Sequence, residues 1–237
     1  MLNLKNIKAI SLDLDDTLWP VWPAIERAEK ALEQWLGENA PMTAALFSNP
    51  SVRTEIRNFV VNNRPDLQHN LSSVRREAIR LAMYRAKENP LLADAAFDVF
   101  YAERNRVTFF DDAMPALKFL SQRFPVVALS NGNADIDRIG IKHYFQASIS
   151  AQAFGVGKPD ARIFHAAAGA VDVKPGDVLH IGDDAQLDVL GAINAGMQAA
   201  WLNRNDHVWT HALQPHVIVS SLKQLCDCLD PNLRAEP

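Results

Sequence analysis

Ile7-Lys8-Ala9-Ile10-Ser11-Leu12 runs directly into Asp13-Leu14-Asp15-Asp16-Thr17-Leu18. A short apolar run that stops at an acid reads as a buried strand, and its carboxyl end brings three carboxylates to one place. In open α/β folds that edge of the sheet is where ligands bind. Three acids packed together repel one another. A hard divalent ion such as Mg²⁺ relieves the repulsion by taking a few carboxylate or carbonyl oxygens. Standing alone, the hexapeptide reads equally well as a solvated acidic turn, so the rest of the chain decides.

The same pattern recurs downstream. Val126–Ser130, Ala147–Ser150, Val178–Gly182, residues 199–202 and Val217–Val219 are apolar runs of strand length. They alternate with helical patterns over residues 113–123, 161–170 and 186–195, and such alternation implies right-handed crossovers in an open, mostly parallel α/β sheet. Residues 19–107 break the alternation, because they offer helical patterns in succession and no convincing strand. The chain is therefore predicted to form a core from residues 1–18 and 108–237, with a helical domain inserted at 19–107.

Within the insert, a first helix puts Ile25, Ala28, Leu32, Trp35 and Leu36 on one face. A second is expected to start at Asn49-Pro50, a third to be capped by Ser72 or Ser73, and a fourth to run over residues 91–100. Trp19 and Trp22 are expected to pack the junction between the two parts. Arg53, Arg57, Arg64, Arg75 and Arg76 read as solvated or paired surface charges.

Composition narrows the function classes. A 237-residue chain with 48% hydrophobic residues and a formal net charge of −4 has the makings of a soluble globular protein and no polyanion-binding surface, so nucleic acid is not an expected partner. Met1–Lys8 lacks the apolar core of a signal peptide, and no apolar run approaches the length of a membrane span. The expected location is the cytoplasm. Cys226 and Cys228 sit two apart near a C-terminal helix and read as reduced bystanders. The His207–His211 pair lies in a loop-like stretch and does not read as a zinc site.

Three further segments carry chemistry. Gly182-Asp183-Asp184-Ala185-Gln186-Leu187-Asp188 is a second acidic cluster that follows a strand. Ser130-Asn131-Gly132-Asn133 ends another strand and offers a hydroxyl and backbone N–H groups suited to phosphate oxygens. Gly157-Lys158-Pro159-Asp160 precedes a helix and carries an ammonium able to neutralise a carboxylate or a transferring phosphoryl group.

In this order, Asp-x-Asp-x-Thr, Ser, Lys-Pro and Gly-Asp-Asp resemble the four motifs of the haloacid dehalogenase superfamily, and the resemblance covers nearly the whole chain. It implies a Rossmann-like core with an α-helical cap inserted between the first and second motifs. Asp13 then matches the nucleophile and Asp15 the general acid/base, Asp15 also giving Mg²⁺ its backbone carbonyl. Ser130 matches the phosphate-binding hydroxyl, with Thr17, Asn131 and Gly132 beside it, and Lys158 matches the charge stabiliser. Asp183 matches the metal-binding acid, with Asp188 and Asp184 as second choices. Around Ser130–Ala134 and residues 180–184 and 191–199 the chain is similar to a bacterial branch acting on FMN and on the riboflavin precursor 5-amino-6-(5-phosphoribitylamino)uracil.

The implied activity is Mg²⁺-dependent hydrolysis of a small phosphorylated metabolite through an aspartyl-phosphate. An acid/base is needed because a departing alkoxide takes a proton, whereas halide leaves without one. Asp15 therefore favours phosphate esters over haloacids. Phosphotransfer to another acceptor, dehalogenation and a catalytically silent phosphometabolite-binding protein are the alternatives. Oligomeric state is left open.

Overall fold

A computed structural model describes residues 1–230; positions 231–237, assigned above to the core, lie outside the described residues. Six strands form one sheet: β1 (Ala9–Leu12), β2 (Val126–Ser130), β3 (Ala147–Ser150), β4 (Val178–Gly182), β5 (Gln198–Leu202) and β6 (Val217–Val219). Their order is β3-β2-β1-β4-β5-β6 and every pairing is parallel. Four inner strands, β1, β2, β4 and β5, are buried at every residue, which is why they read as continuous apolar runs rather than as alternating ones. The edge strands β3 and β6 are half-buried and weaker in pattern.

Chain direction places the chemistry. From β1 the chain's next strands go to one side and β4 to the other, so a topological switch point lies beside β1, where a crevice opens beyond the strand ends. Leu12 is in register with Ile181 on β4 and with Ala128 on β2. Asp13 continues that alignment, its N–H donating to Ile181 O at 2.9 Å. Segments more than 100 residues apart in sequence thus end at one edge.

The chain divides into two compact units, Met1–Pro20 with Thr108–Pro237, and Val21–Val107. The second is helical throughout its regular elements: α1 (Val21–Asn39), α2 (Pro41–Phe47), α3 (Pro50–Asn63), α4 (Leu71–Arg85) and α5 (Ala93–Arg104). Leu32, Leu36, Ile56, Val60, Ile79, Met83, Phe97 and Phe100 meet in its core. The sheet unit adds α6 (Ala113–Ser121), α7 (Ala151–Phe154), α8 (Ala161–Gly169), α9 (Gly191–Asn194) and α10 (Leu222–Leu229). On one face of the sheet, Phe164 and Ala167 of α8 pack with Val127, Leu129, Val178 and Ala199.

Several local expectations change. Asn49 caps α3 as read, accepting from Ser51 N–H at 3.0 Å, but α2 precedes it unforeseen. Its N-terminus is held by the Glu88 carboxylate, which accepts from Met42 N–H, Thr43 N–H and the Thr43 hydroxyl at 2.9, 2.8 and 2.6 Å. An anion at a helix N-terminus satisfies orphan donors and complements the dipole. Because that anion comes from beyond α4, a local pattern could not reveal it. Asn70, rather than Ser72 or Ser73, caps α4, accepting from Ser73 N–H at 2.8 Å; both serines fall inside the first turn. The fourth expected helix starts later and runs further, as α5, after a tight turn at Pro90–Leu92. Trp22 is 68% exposed, since it lies off the Ala24-Ala28-Leu32-Leu36 stripe that α1 buries. Trp19 is fully buried, edge-on to Phe109 at 5.6 Å.

Candidate active site

The loop after β1 is a tight turn. Asp16 takes φ 58°, and its N–H bonds Trp19 O at 2.7 Å while Leu18 N–H bonds Leu14 O at 2.8 Å. An aspartate tolerates that left-handed backbone better than most residues. Trp19 Nε1 donates to Asp15 Oδ1 at 2.9 Å, orienting the second carboxylate of the motif. Asp13 is buried at the strand end.

The loop before α8 supplies the cation. Lys158 is buried, and its Nζ bonds Asp13 Oδ1 and, at 2.6 Å, Asp188 Oδ1. Asn131 clamps the lysine backbone from both sides, with its Oδ1 accepting from Lys158 N–H at 2.7 Å and its Nδ2 donating to Lys158 O at 2.9 Å. Gly157 is required beside this clamp, because a Cβ there would come within 2.6 Å of Asn131 Oδ1. Asn131, predicted to meet phosphate, sets the lysine loop with one bond from each end of its amide. Ser130 Oγ accepts from Gly132 N–H at 2.9 Å, which leaves the hydroxyl proton to donate.

Fourth-motif acids separate by what they touch. Asp184 caps the turn after β4, with its Oδ1 accepting from Gln186 and Leu187 N–H at 2.8 and 2.7 Å. That turn, Ala185–Leu190, is wide: the N–H groups of Asp188 and Val189 both reach Asp184 O, at 3.0 and 3.2 Å. Such widened turns are frequent at functional sites, and the turn here interrupts the helix expected over residues 186–195. It aims Asp188 back at the strand end, where its Oδ2 accepts from Asp184 N–H at 3.0 Å. Gly182 makes room, since a Cβ at that position would collide with the Asp188 carboxylate. Asp183 accepts from the Thr17 hydroxyl at 3.2 Å through Oδ1 and from Trp201 Nε1 at 2.8 Å through its carbonyl.

His180 was not among the residues singled out. It is fully buried on β4, with Nε2 3.0 Å from Asp188 Oδ1 and Nδ1 3.0 Å from Ser11 Oγ. Burial pushes its pKa down, so the ring is neutral. Facing a carboxylate, Nε2 carries the proton, and Ser11 then donates to Nδ1. Its only sequence signal was a polar residue inside a buried strand.

Charges at the site do not balance. Asp13, Asp183 and Asp188 each offer a carboxylate oxygen, all within 4.8 Å of one another, against one ammonium. Burial opposes charge on Asp188 and Lys158, but attraction wins: Lys158 holds the Asp188 carboxyl below its usual range, and Asp13 and then Asp188 raise the ammonium's pKa. Burial raises the Asp13 carboxyl well above its usual range despite Lys158, with Asp188 and Asp183 adding to the rise. Burial and the neighbouring acids push Asp183 up to about 7. A cluster of three carboxylates against one ammonium is two positive charges short, and such a set of hard oxygens is the donor set that a divalent ion fits.

Comparison with known proteins places the chain in a family. A profile of the haloacid dehalogenase-like hydrolases matches residues 7–196. The chain is 33% identical to the 5-amino-6-(5-phospho-D-ribitylamino)uracil phosphatase YigB of Escherichia coli, over 94% of this chain and 96% of that one. It is 31% identical to a phosphoserine phosphatase of Thermus thermophilus, over 64% and 63%. A solved structure described as a 2-haloacid dehalogenase from Pseudomonas syringae superposes with a TM-score of 0.90 at 35% identity, covering 94% and 98%.

Proposed function

Since the chain belongs to the haloacid dehalogenase-like hydrolase family and is a phosphatase, we propose that it hydrolyses small phosphate monoesters with Mg²⁺, using Asp13 as nucleophile and Asp15 as acid/base. The observation that carries the reading is the buried Asp13–Lys158–Asp188 arrangement beside Asp183. A dianionic phosphate repels an incoming anion, so the first requirement is neutralisation. Lys158 meets part of it. Asp13, Asp183 and the Asp15 carbonyl would hold Mg²⁺, which when bound neutralises phosphate oxygens and helps align them. Asp188 has its two oxygens committed to Lys158, His180 and Asp184 N–H, so its main part is to aim the lysine.

Asp13 attacks phosphorus while the ester oxygen leaves, forming an aspartyl-phosphate. Asp15, turned by Trp19, gives its proton to the departing alkoxide and then takes one from the water that attacks phosphorus, breaking the bond to Asp13 and releasing inorganic phosphate with the carboxylate restored. The Ser130 hydroxyl donates to a phosphate oxygen, with Gly132 in the same loop. Thr17 serves the site by steering Asp183.

The substrate class follows the relative aligned along nearly its whole length, so 5-amino-6-(5-phospho-D-ribitylamino)uracil is the first candidate, and FMN, which the motif resemblance implies, is the second. A second reading, haloacid dehalogenation, is raised by the description of the superposed structure; the carboxylate of Asp15 speaks against it. Release of inorganic phosphate from these two compounds, phosphoserine and sugar phosphates, with and without Mg²⁺, tests the proposal. Expected is metal-dependent release that Asp13→Asn abolishes. Undiminished turnover by Asp13→Asn would refute the nucleophile assignment, and halide release from a 2-haloacid without any phosphate release would replace the activity.

A further inference from the structure

Arg204 lies just beyond β5, outside every motif considered above, yet its guanidinium ties together three segments of the sheet unit. Nη1 and Nη2 donate to Asp112 Oδ2 and Oδ1 at 3.2 and 2.9 Å, a bidentate pair that is only 15% and 14% exposed. Its carbon centre stacks 4.0 Å above the Phe110 ring. Asp112 Oδ2 also accepts from Leu222 N–H at 2.7 Å, at the start of α10. So far this is a structural strut between the beginnings of α6 and α10.

One more bond makes it more than that. Arg204 Nη2 also donates to Thr17 O at 3.1 Å, and the Thr17 hydroxyl donates to Asp183 Oδ1. From the same end of β5, Trp201 Nε1 holds the Asp183 carbonyl. The end of β5 therefore grips Asp183 at its main chain directly and at its carboxylate through Thr17. Strutting α6 against α10 does not call for the Thr17 contact.

We infer that Arg204 is a positioning residue for the metal site: locked by Asp112, it holds the backbone of Thr17 so that the threonine hydroxyl fixes the Asp183 carboxylate in its binding pose. The fork geometry matters, because a guanidinium serves the carboxylate and the carbonyl at once while an ammonium has no fixed fork to do so. Partners of this kind behind a ligand change metal affinity by about 10–100-fold when removed. The inference rests on Asp183 being a metal ligand.

The test is Mg²⁺ binding to the purified full-length protein by calorimetry, with circular dichroism to confirm folding. Arg204→Met keeps an apolar stem over Phe110 and removes every donor. Its Mg²⁺ dissociation constant is expected to rise about tenfold or more, while the substrate KM at saturating Mg²⁺ moves less. A folded Arg204→Met with a wild-type Mg²⁺ constant overturns the inference and leaves a plain strut. Should that variant fail to fold, Arg204→Lys decides in the same way: weaker Mg²⁺ binding is expected, and an unchanged constant overturns it. Asp183→Asn separates the two levels. Loss of Mg²⁺ binding there with none in the Arg204 variants refutes the positioning role alone, whereas full Mg²⁺ binding by Asp183→Asn removes the metal reading beneath it.

Discussion

Two groups of charged side chains, one in each unit, are used in opposite ways. In the helical unit four arginines pair where solvent reaches them: Arg53 and Arg75 share Glu29, at 3.2 and 2.6 Å, and Arg76 and Arg80 share Asp94, at 2.9 and 3.1 Å. Each keeps a second attachment, such as Arg75 over the Phe100 ring at 3.8 Å or Arg53 to Phe47 O at 2.7 Å. In the sheet unit Asp13, Lys158, His180 and Asp188 are buried together with one ammonium between two carboxylates. Surface pairs of the first kind contribute about 0–1 kcal/mol. Buried clusters of the second kind are costly to assemble and more costly to leave half-made.

Removing the central cation should separate the two regimes most widely. Lys158→Met leaves Asp13 and Asp188 buried without their partner, and a destabilisation of about 3–5 kcal/mol is expected in urea unfolding, together with loss of phosphatase turnover. A change under about 1 kcal/mol would place these charges with the surface pairs of the helical unit.

A smaller effect should come from pH. The Asp183 carboxyl, pushed up to about 7 by burial and nearby acids, binds its proton more tightly folded than unfolded. Its contribution to stability is therefore full below the ordinary aspartate range and is lost as pH rises towards about 7. His180 acts in the opposite sense: its lowered pKa means stability is lost as pH falls through the range where the unfolded histidine protonates. Asp183→Asn isolates the first contribution. Its melting temperature should decline less than wild type's between about pH 4 and pH 7 without Mg²⁺. Added Mg²⁺ should raise the wild-type melting temperature more at pH 8 than at pH 5, since the cation competes with the proton. Parallel pH curves for the two proteins would count against the assigned burial of charge.

The smallest effect is expected in the helical unit. Glu29→Gln removes the shared acceptor of Arg53 and Arg75, and both arginines retain their other attachments. A loss of no more than about 1 kcal/mol is expected in urea unfolding. A loss several times larger would show that Glu29 belongs with the buried cluster in kind, and the contrast between the units would fail.

Much of this was legible beforehand for a local reason. β2 and β4 lie where apolar runs put them, because a strand buried on both faces has to be apolar throughout, and the half-buried edge strands β3 and β6 lie where shorter runs bounded by turn residues put them. Asn49-Pro50 announced α3 because cap and first-turn proline are adjacent in the chain. By contrast α2 went unseen because Glu88, which holds its N-terminus, is distant in sequence. Asp184 and Asp188 could not be separated until the wide turn after β4 turned one into a cap and the other towards Lys158.

The amino-acid sequence by itself determined which side chains end each strand: Asp13 after β1, Ser130 on β2, Asp183 after β4. The alternation of apolar runs with acids and turn residues is set by neighbours along the chain, so that pattern is written locally. Only the tertiary structure decided how the ends meet, because strand order is set by crossovers that span tens of residues. It seated Lys158 between Asp13 and Asp188, put neutral His180 behind them, committed Asn131 to the lysine loop and Thr17 to Asp183, and brought Arg204 from beyond β5 to the carbonyl of Thr17.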